Sequence, residues 1–320
     1  MVGQAIRQNS VKKMAENYFN VEYFSHFEGF KNTGESSAYS LWIHFDTLLD
    51  IQDFEKLRLP SFLLTTTTGV THLGSDLRIQ LGNRLLSLAS EKDLLQQVTS
   101  TAEHAWSLLT AISNPWLQNL RVDKQLKRSD LLRLNQLSSR SIGIIGYGRL
   151  GRMVADYALA FGMQVYVYDT DYSIQIPNKE KINRTFSLEE LLQNSNIISI
   201  HASVNAHKKP ILSEDTLRFC RRGTSIINTS RGCLVDEQAI VNLLNTKTIK
   251  WYATDVLNEE ELGADKSPEE LKERARTLNG VIITPHIGGA NLEAMEFCEK
   301  NLLSRLIAAQ STEPENKTQQ

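Results

Sequence analysis

From residue 141 onward the chain alternates short apolar runs with helical stretches, and this alternation restricts the fold more than any other feature. The runs are SIGIIG, MQVYVYD, NIISIHA, TSIINTS, KWYATDV and GVIITPH. Each is nearly continuous in apolar residues, the pattern of strands buried on both faces in a helix-covered parallel sheet. Between the first two, RLGRMVADYALAFG places Leu150, Val154, Ala158 and Phe161 at helical spacing, with Gly162 as a stop. Between the second and third, SLEELLQN opens with Ser187 and carries Glu190 three residues on, a capping box. Asp236 is placed to cap DEQAIVNLLN. Connections of this length between parallel neighbours predict an α/β fold with a doubly wound parallel sheet of six strands.

The first hundred residues repeat less clearly. SLWIHFD and SFLLTTTTG read as strands separated by a short helix around DFEKL, which predicts a second, smaller flavodoxin-like α/β domain. TAEHAWSLLTAIS, 101–113, reads as a helix bridging the two parts. The expected division is 1–97 with 291–310, then 98–290, and a polar tail 311–320 expected to be disordered. VDKQLKRSD mixes charge signs, as a solvated connection would. A length of 320 residues accommodates two domains. A net charge of -2 with 22% charged residues favours neither nucleic acid nor an anionic membrane as partner. The start has no basic segment before a long apolar core, and no run nears the ~20 apolar residues of a membrane span. The cytoplasm is therefore the expected compartment. Three cysteines without CxxC spacing fit free thiols, and without HExxH no metal is expected.

Chemistry gathers at the ends of the runs. After SIGIIG comes Gly146-Tyr147-Gly148-Arg149-Leu150-Gly151, a GxGxxG at a strand-to-helix turn. Gly146 permits the turn, Gly148 lets backbone approach a pyrophosphate, and Gly151 lets helix pack on strand, with the helix N-terminus toward the phosphates. Asp169 ends the second run, where a carboxylate would accept the ribose hydroxyls. The same carboxylate would repel a 2′-phosphate, and TDY brings no arginine to receive one, so NAD is expected over NADP. The cofactor domain is thus read as a Rossmann domain. NTSRG puts Arg231 beyond the fourth run, ATDVLNEE puts Asp255 and Glu260 beyond the fifth, and TPHIGG puts His286 beyond the sixth. In open α/β sheets ligands bind at the carboxyl ends of the strands, so these groups are expected to converge there.

GIIGYGRLGR, INTSRG, ATDVLNEE and TPHIGG, in that order over about residues 98 to 295, make the chain resemble the NAD-dependent D-isomer-specific 2-hydroxyacid dehydrogenases. That family includes phosphoglycerate, glycerate, hydroxyisocaproate and D-lactate dehydrogenases. TTTTGVTHLG at 65–74 is similar to its substrate loop, and TAEHAWSLLTAIS to its inter-domain helix. The resemblance implies hydride transfer between NAD(H) and a small 2-hydroxy or 2-oxo acid. Arg231 would grip the substrate carboxylate and polarise the reacting oxygen. His286 would be the acid/base, and Glu260 would hydrogen-bond its ring and raise its pKa above the ordinary ~6.5. Thr68, Gly69 and Val70 would turn backbone amides toward the substrate. Thr68, Arg149, Leu150, Thr229, Ser230, Asp255, Gly288 and Gly289 would line the cofactor beside the GxGxxG glycines and Asp169. His201 would lie along the cofactor or be structural, and His104 on the bridging helix is read as a packing or interface residue. A homodimer is the implied assembly.

Three departures from the family pattern qualify the substrate. The chain opens on something helical and reaches a β-like run near NVEYFSHF, which predicts a reduced first domain. HASVN, with Ser203 and Asn205, replaces the family's HxPxT near the nicotinamide. WIHFDT offers His44 and Asp46 where phosphoglycerate enzymes carry arginine, so an acid with an uncharged tail, or one not identified, is expected instead. Two other readings use the same fold. One is an NAD(H)-sensing, corepressor-like binding protein; the other is a formate-type dehydrogenase, against which Glu260 and His286 argue.

Overall fold

The computed structural model describes residues 1–312 apart from 3–5, 7, 34–37, 45, 114–135, 177–181, 205–208 and 259–265. These residues form two compact units, 1–98 with 290–312 and 99–258 with 266–289. Unit 1 begins with helices α1 (Asn9–Tyr18) and α2 (Phe27–Lys31). Strands β1 (Ser40–Ile43) and β2 (Phe62–Thr65), helix α3 (Ser75–Leu81), strand β3 (Leu85–Leu86) and helix α4 (Lys92–Leu95) follow. The three strands pair in parallel in the order β1-β2-β3.

The helical opening expected from the sequence is preceded by a sheet residue. Val2, fully buried, bridges both Phe24 and Ile43 in parallel fashion. Its N–H donates to the Trp42 carbonyl at 2.9 Å, and the Met1 carbonyl accepts from the Phe24 N–H at 2.8 Å. The spatial order Phe24, Val2, β1, β2, β3 is the 2-1-3-4-5 order of flavodoxin-like sheets, with its first two members shrunk to single bridges. The expected helix around DFEKL is a 3-10 turn, Ile51–Phe54, whose first N–H is held by the Asp50 carboxylate at 2.6 Å.

Unit 2 begins with α5 (Ser100–Ser113), β4 (Ser141–Ile145), α6 (Arg149–Ala160), β5 (Gln164–Tyr168), β6 (Ile182–Arg184) and α7 (Leu188–Asn194). It continues with β7 (Ile197–Ile200), α8 (Glu214–Leu217), β8 (Thr224–Asn228), α9 (Glu237–Asn245), β9 (Ile249–Thr254), α10 (Glu269–Arg276) and β10 (Val281–Ile283). Helix α11 (Leu292–Thr312) belongs to unit 1. The sheet order is β10-β9-β8-β7-β4-β5-β6, all parallel, so the strand order reverses between β4 and β7. Strands β4, β7 and β8 are buried along their whole length, as their apolar runs predict. One face packs on α5 and α6 through Ala105, Leu109, Val154 and Ala158. The other packs on α7, α9 and α10 through Leu191, Ile240 and Leu271. Each such aliphatic side chain larger than alanine contributes about 1.5–3 kcal/mol on burial, so the strand tips stand on a stiff base.

Several local expectations change in detail. The sheet has a seventh strand, β6, whose sequence INR carries no apolar run because it lies at the edge and is three residues long. Phe161 lies past the end of α6, 51% exposed, and packs on the Trp106 ring at 5.0 Å instead of on the core. Gly162 does stop the helix, with φ of 75° and its N–H on the Leu159 carbonyl. Ser187 caps α7 by accepting from the Glu190 N–H at 3.1 Å, but the Glu190 carboxylate reaches back to the Phe186 N–H. Asp236 caps α9 at the Ala239 N–H. Helix α11 runs to Thr312, two residues into the stretch expected to be disordered. Residues 313–320 and VDKQLKRSD lie outside the described residues. No described helix is long and apolar enough to cross a membrane.

Candidate active site

The glycine turn after β4 sits where the strand order reverses, the ligand crevice of open α/β sheets. Gly146 has φ of 89°, and a Cβ there would lie 2.7 Å from the Ala202 nitrogen at the tip of β7. A Cβ on Gly151 would lie 2.0 Å from the Gly146 carbonyl oxygen, so α6 can start only with glycine at this point. At Gly148 an added Cβ meets nothing within 4 Å, which leaves the backbone open to an approaching phosphate. Arg149 and Leu150 form the first turn of α6, where N–H groups lack intrahelical partners and the helix dipole favours an anion. Just beyond β5, the Asp169 carboxylate accepts from the Tyr147 N–H at 2.6 Å and the Asp171 N–H at 2.9 Å, which pins it beside the glycine turn.

Two buried polar atoms at neighbouring strand tips have no partner among the described residues: the Thr229 hydroxyl after β8 and Nδ1 of His201 after β7. Buried polar atoms are nearly always satisfied, so these orphans and the open space at Gly148 fit a bound dinucleotide. Nε2 of His201 meets the Ser199 hydroxyl at 2.8 Å, and burial pushes the His201 pKa down to about 4. A ring that is neutral at pH 7 is a poor proton donor, so His201 is not suited to an acid role.

Strands β8, β9 and β10 carry the other groups. Asn228, fully buried at the end of β8, accepts from the Ser230 N–H through Oδ1 and donates through Nδ2 to the Arg231 carbonyl. The Ser230 hydroxyl donates to the Ile200 carbonyl on β7, and Arg231 Nη1 donates to the Ser230 carbonyl at 2.7 Å. This clip sets half-buried Arg231 at the tip of β8. Asp255, 2% exposed beyond β9, accepts from the Thr284 hydroxyl at 2.5 Å, the Ile287 N–H at 2.9 Å and the Gly288 N–H at 2.7 Å. Burial alone would push its carboxyl up, but these bonds and one from His104 outweigh it and hold the pKa below the usual 3.8. The turn so held carries His286, half-buried and with φ of 52°, in the left-handed region that few non-glycine residues adopt. A Cβ on Gly288 would approach Asp255 Oδ2 to 2.9 Å, so this glycine lets the turn close on the carboxylate.

Arg231, Asp255 and His286 thus stand at the tips of three adjacent strands. Asp255, expected to line the cofactor, directs its carboxylate into the turn that follows β10. Glu260 and Asn205 lie outside the described residues. In unit 1, the N–H groups of Thr68, Gly69 and Val70 donate to nothing among the described residues, while the Thr67 hydroxyl holds the Gly69 carbonyl at 2.6 Å. Successive N–H groups without partners are the kind of backbone that can seat an anion. His104, read as packing or interface, instead places Nε2 2.9 Å from the Thr284 hydroxyl and 3.2 Å from Asp255 Oδ1. Asn228 and Thr284 escaped the sequence reading. Their signals were slight: a lone amide closing the run TSIIN, and a hydroxyl just ahead of Pro285-His286.

A parallel sheet of order 3-2-1-4-5-6-7 with a glycine turn at its reversal defines a Rossmann dinucleotide-binding domain. The family model for the D-isomer specific 2-hydroxyacid dehydrogenase, NAD binding domain, matches residues 107–288, more than half of the chain. The chain belongs to that family. It is similar to D-3-phosphoglycerate dehydrogenase of Bacillus subtilis, 32% identical over 197 residues, which are 61% of this chain and 36% of that protein. The chain therefore matches little more than a third of that relative's length. Among solved structures it is similar to D-lactate dehydrogenase from Aquifex aeolicus complexed with NAD and lactic acid. The TM-score is 0.77 at 22% identity, covering 97% of this chain and 95% of that one. It is also similar to an acyclic imino acid reductase in complex with NADPH and D-Arg, with TM-score 0.76 at 24% identity and 98% and 97% coverage.

Proposed function

We propose that the chain is an oxidoreductase that transfers a hydride between NAD(H) and a small D-2-hydroxy or 2-oxo acid. The observation that carries this reading is the placement of Arg231 and His286 at the tips of β8 and β10, beside a glycine turn suited to a dinucleotide. Bound NAD supplies the hydride acceptor or donor. Arg231 presents a planar, permanently charged fork that grips the substrate carboxylate and draws electron density from the reacting oxygen. His286 gives a proton to the 2-oxo oxygen during reduction and takes it back during oxidation. Glu260 is assigned to orient its ring. Gly146, Gly148, Arg149, Leu150, Gly151 and Asp169 hold the cofactor, with Thr229, Ser230, Gly288, Gly289 and Thr68 lining it. Unit 1's assignment is the anion seat at Thr68, Gly69 and Val70.

An uncharged substrate tail fits the end of β1 better than a phosphate does. His44 Nδ1 lies 2.8 Å from the Asp46 carboxylate, whose charge opposes a phosphate. Nearby His72 has its pKa pushed down to about 4, first by burial and then by His44, and so adds no positive charge at pH 7. A cytoplasmic homodimer is the form in which we expect the enzyme to act.

The test is loss of NADH absorbance with a panel of 2-oxo acids, wild type against His286→Ala. The panel starts from pyruvate and includes amine-supplemented mixtures, because one fold neighbour is named an imino acid reductase. Turnover of a 2-oxo acid that disappears in the variant supports the proposal. Tight NADH binding without turnover of any member sinks it in favour of a nucleotide-sensing protein.

A further inference from the structure

We propose that His104 is a positioning residue for the acid/base turn, a proposal that rests on the function just assigned to His286. Three facts single out this side chain. It sits on α5, 180 residues before Thr284 in the chain, yet its Nε2 lies 2.9 Å from the Thr284 hydroxyl oxygen. The same nitrogen lies 3.2 Å from Asp255 Oδ1. And the ring wall of His104 closes on the turn: a Cβ added at Gly288 would come within 3.5 Å of His104 Cδ2 and of Thr101 Cγ2, both on α5.

The hydrogen bonds define which nitrogen carries the proton. A threonine hydroxyl has one hydrogen to give. Thr284 spends it on Asp255, at 2.5 Å, in preference to the Thr254 carbonyl at 3.5 Å. Toward His104 the Thr284 oxygen can then only accept. Asp255, a carboxylate with a lowered pKa, also only accepts. Nε2 of His104 must therefore be the donor, its N–H shared between the hydroxyl and the carboxylate.

That donor completes a closed set of restraints on residues 284–288. The Thr284 N–H is fixed by the Thr254 carbonyl on β9 at 2.9 Å, and the Ile287 and Gly288 N–H groups by Asp255. His104 then fixes the hydroxyl and the carboxylate relative to α5. Backbone held in the left-handed region, as at His286, persists only where its surroundings over-determine it. Without the His104 N–H, Thr284 and Asp255 keep their mutual bond but lose their tie to the helix, and the His286 ring loses its aim. His104 itself reaches no reacting atom.

Two variants separate positioning from packing. His104→Phe keeps the bulk and removes the donor, while His104→Gln returns an N–H near the position of Nε2. With NADH and the panel acid that turns over, His104→Phe is expected to lower kcat about 10- to 100-fold, with KM for NADH nearly unchanged. His104→Gln is expected to recover most of that loss. A kcat for His104→Phe within twofold of wild type, or equal losses in both variants, would overturn the proposal. If wild type turns over nothing, the functional reading fails separately, and nuclear magnetic resonance still tests the inference. The expected spectrum shows a protected Nε2–H on His104, with Ile287 and Gly288 amide signals that shift in His104→Phe and return in His104→Gln. An Nδ1–H ring, or amide signals indifferent to both variants, sinks it.

Discussion

At the carboxyl edge of unit 2 the candidate chemistry is carried by side chains clipped to one another, whereas at the carboxyl edge of unit 1 it is carried by bare backbone. Arg231 is aimed by Asn228, and the His286 turn by Asp255 and Thr284. Thr68, Gly69 and Val70 offer backbone N–H groups, in a loop shaped by the Thr67 hydroxyl on the Gly69 carbonyl and the Leu73 N–H on the Val70 carbonyl. A side-chain constellation concentrates its function in a few atoms and is exposed to single substitutions. A backbone seat is nearly blind to them.

The largest expected effect tests that contrast directly. His286→Ala should lower kcat by about 10²- to 10⁴-fold, while Thr68→Ala, which keeps its N–H, should change kcat/KM little. Steady-state kinetics on both variants would break the comparison if Thr68→Ala proved as damaging. Next comes Gly151→Ala, whose new Cβ meets backbone 2.0 Å away; it should cost about 1–3 kcal/mol in thermal unfolding. Gly148→Ala, with open space around it, should unfold like wild type and lose only NADH affinity.

Asp255→Ala strands the Ile287 and Gly288 N–H groups and should cost roughly 1–3 kcal/mol in urea unfolding. The pH dependence has a definite sign. Because the folded Asp255 pKa lies below 3.8, its contribution is present at neutral pH and is lost as pH falls below 3.8 through the lower folded value. The gap between wild type and Asp255→Asn should therefore close in strong acid. The smallest effect is shared by the two units. His72 and His201 each have pKa values lowered from 6.5 to about 4, so between those values the unfolded chain binds protons that the folded one refuses. Stability should fall by roughly 1 kcal/mol for each from pH 6.5 to about pH 5.5. His72→Asn and His201→Asn should each flatten that slope, measured by denaturant titration at several pH values.

The same contrast explains what could be read in advance. In unit 2 the glycine turn, Asp169, Arg231 and His286 each follow an apolar run by a few residues, so a local pattern locates them. Strand β6 was missed because INR at a sheet edge needs no apolar run, and Val2 because one bridging residue leaves no periodicity. The partners of His104 were not legible because a helix pattern reports spacing and says nothing of what lies across from a side chain.

By itself, then, the sequence determined the parallel sheet, its order of glycine turn, arginine and histidine, and the edge at which they emerge. Those follow from backbone sterics and burial, which act between residues close in the chain. Only the tertiary structure decided that Asp255 faces the His286 turn, that Asn228 clips Arg231, and that a helix 180 residues away brings the His104 ring to Thr284. Hydrogen bonds of this kind are set by distances of 2.5 to 3.2 Å between strands and helices. Those distances exist only after the apolar faces have packed.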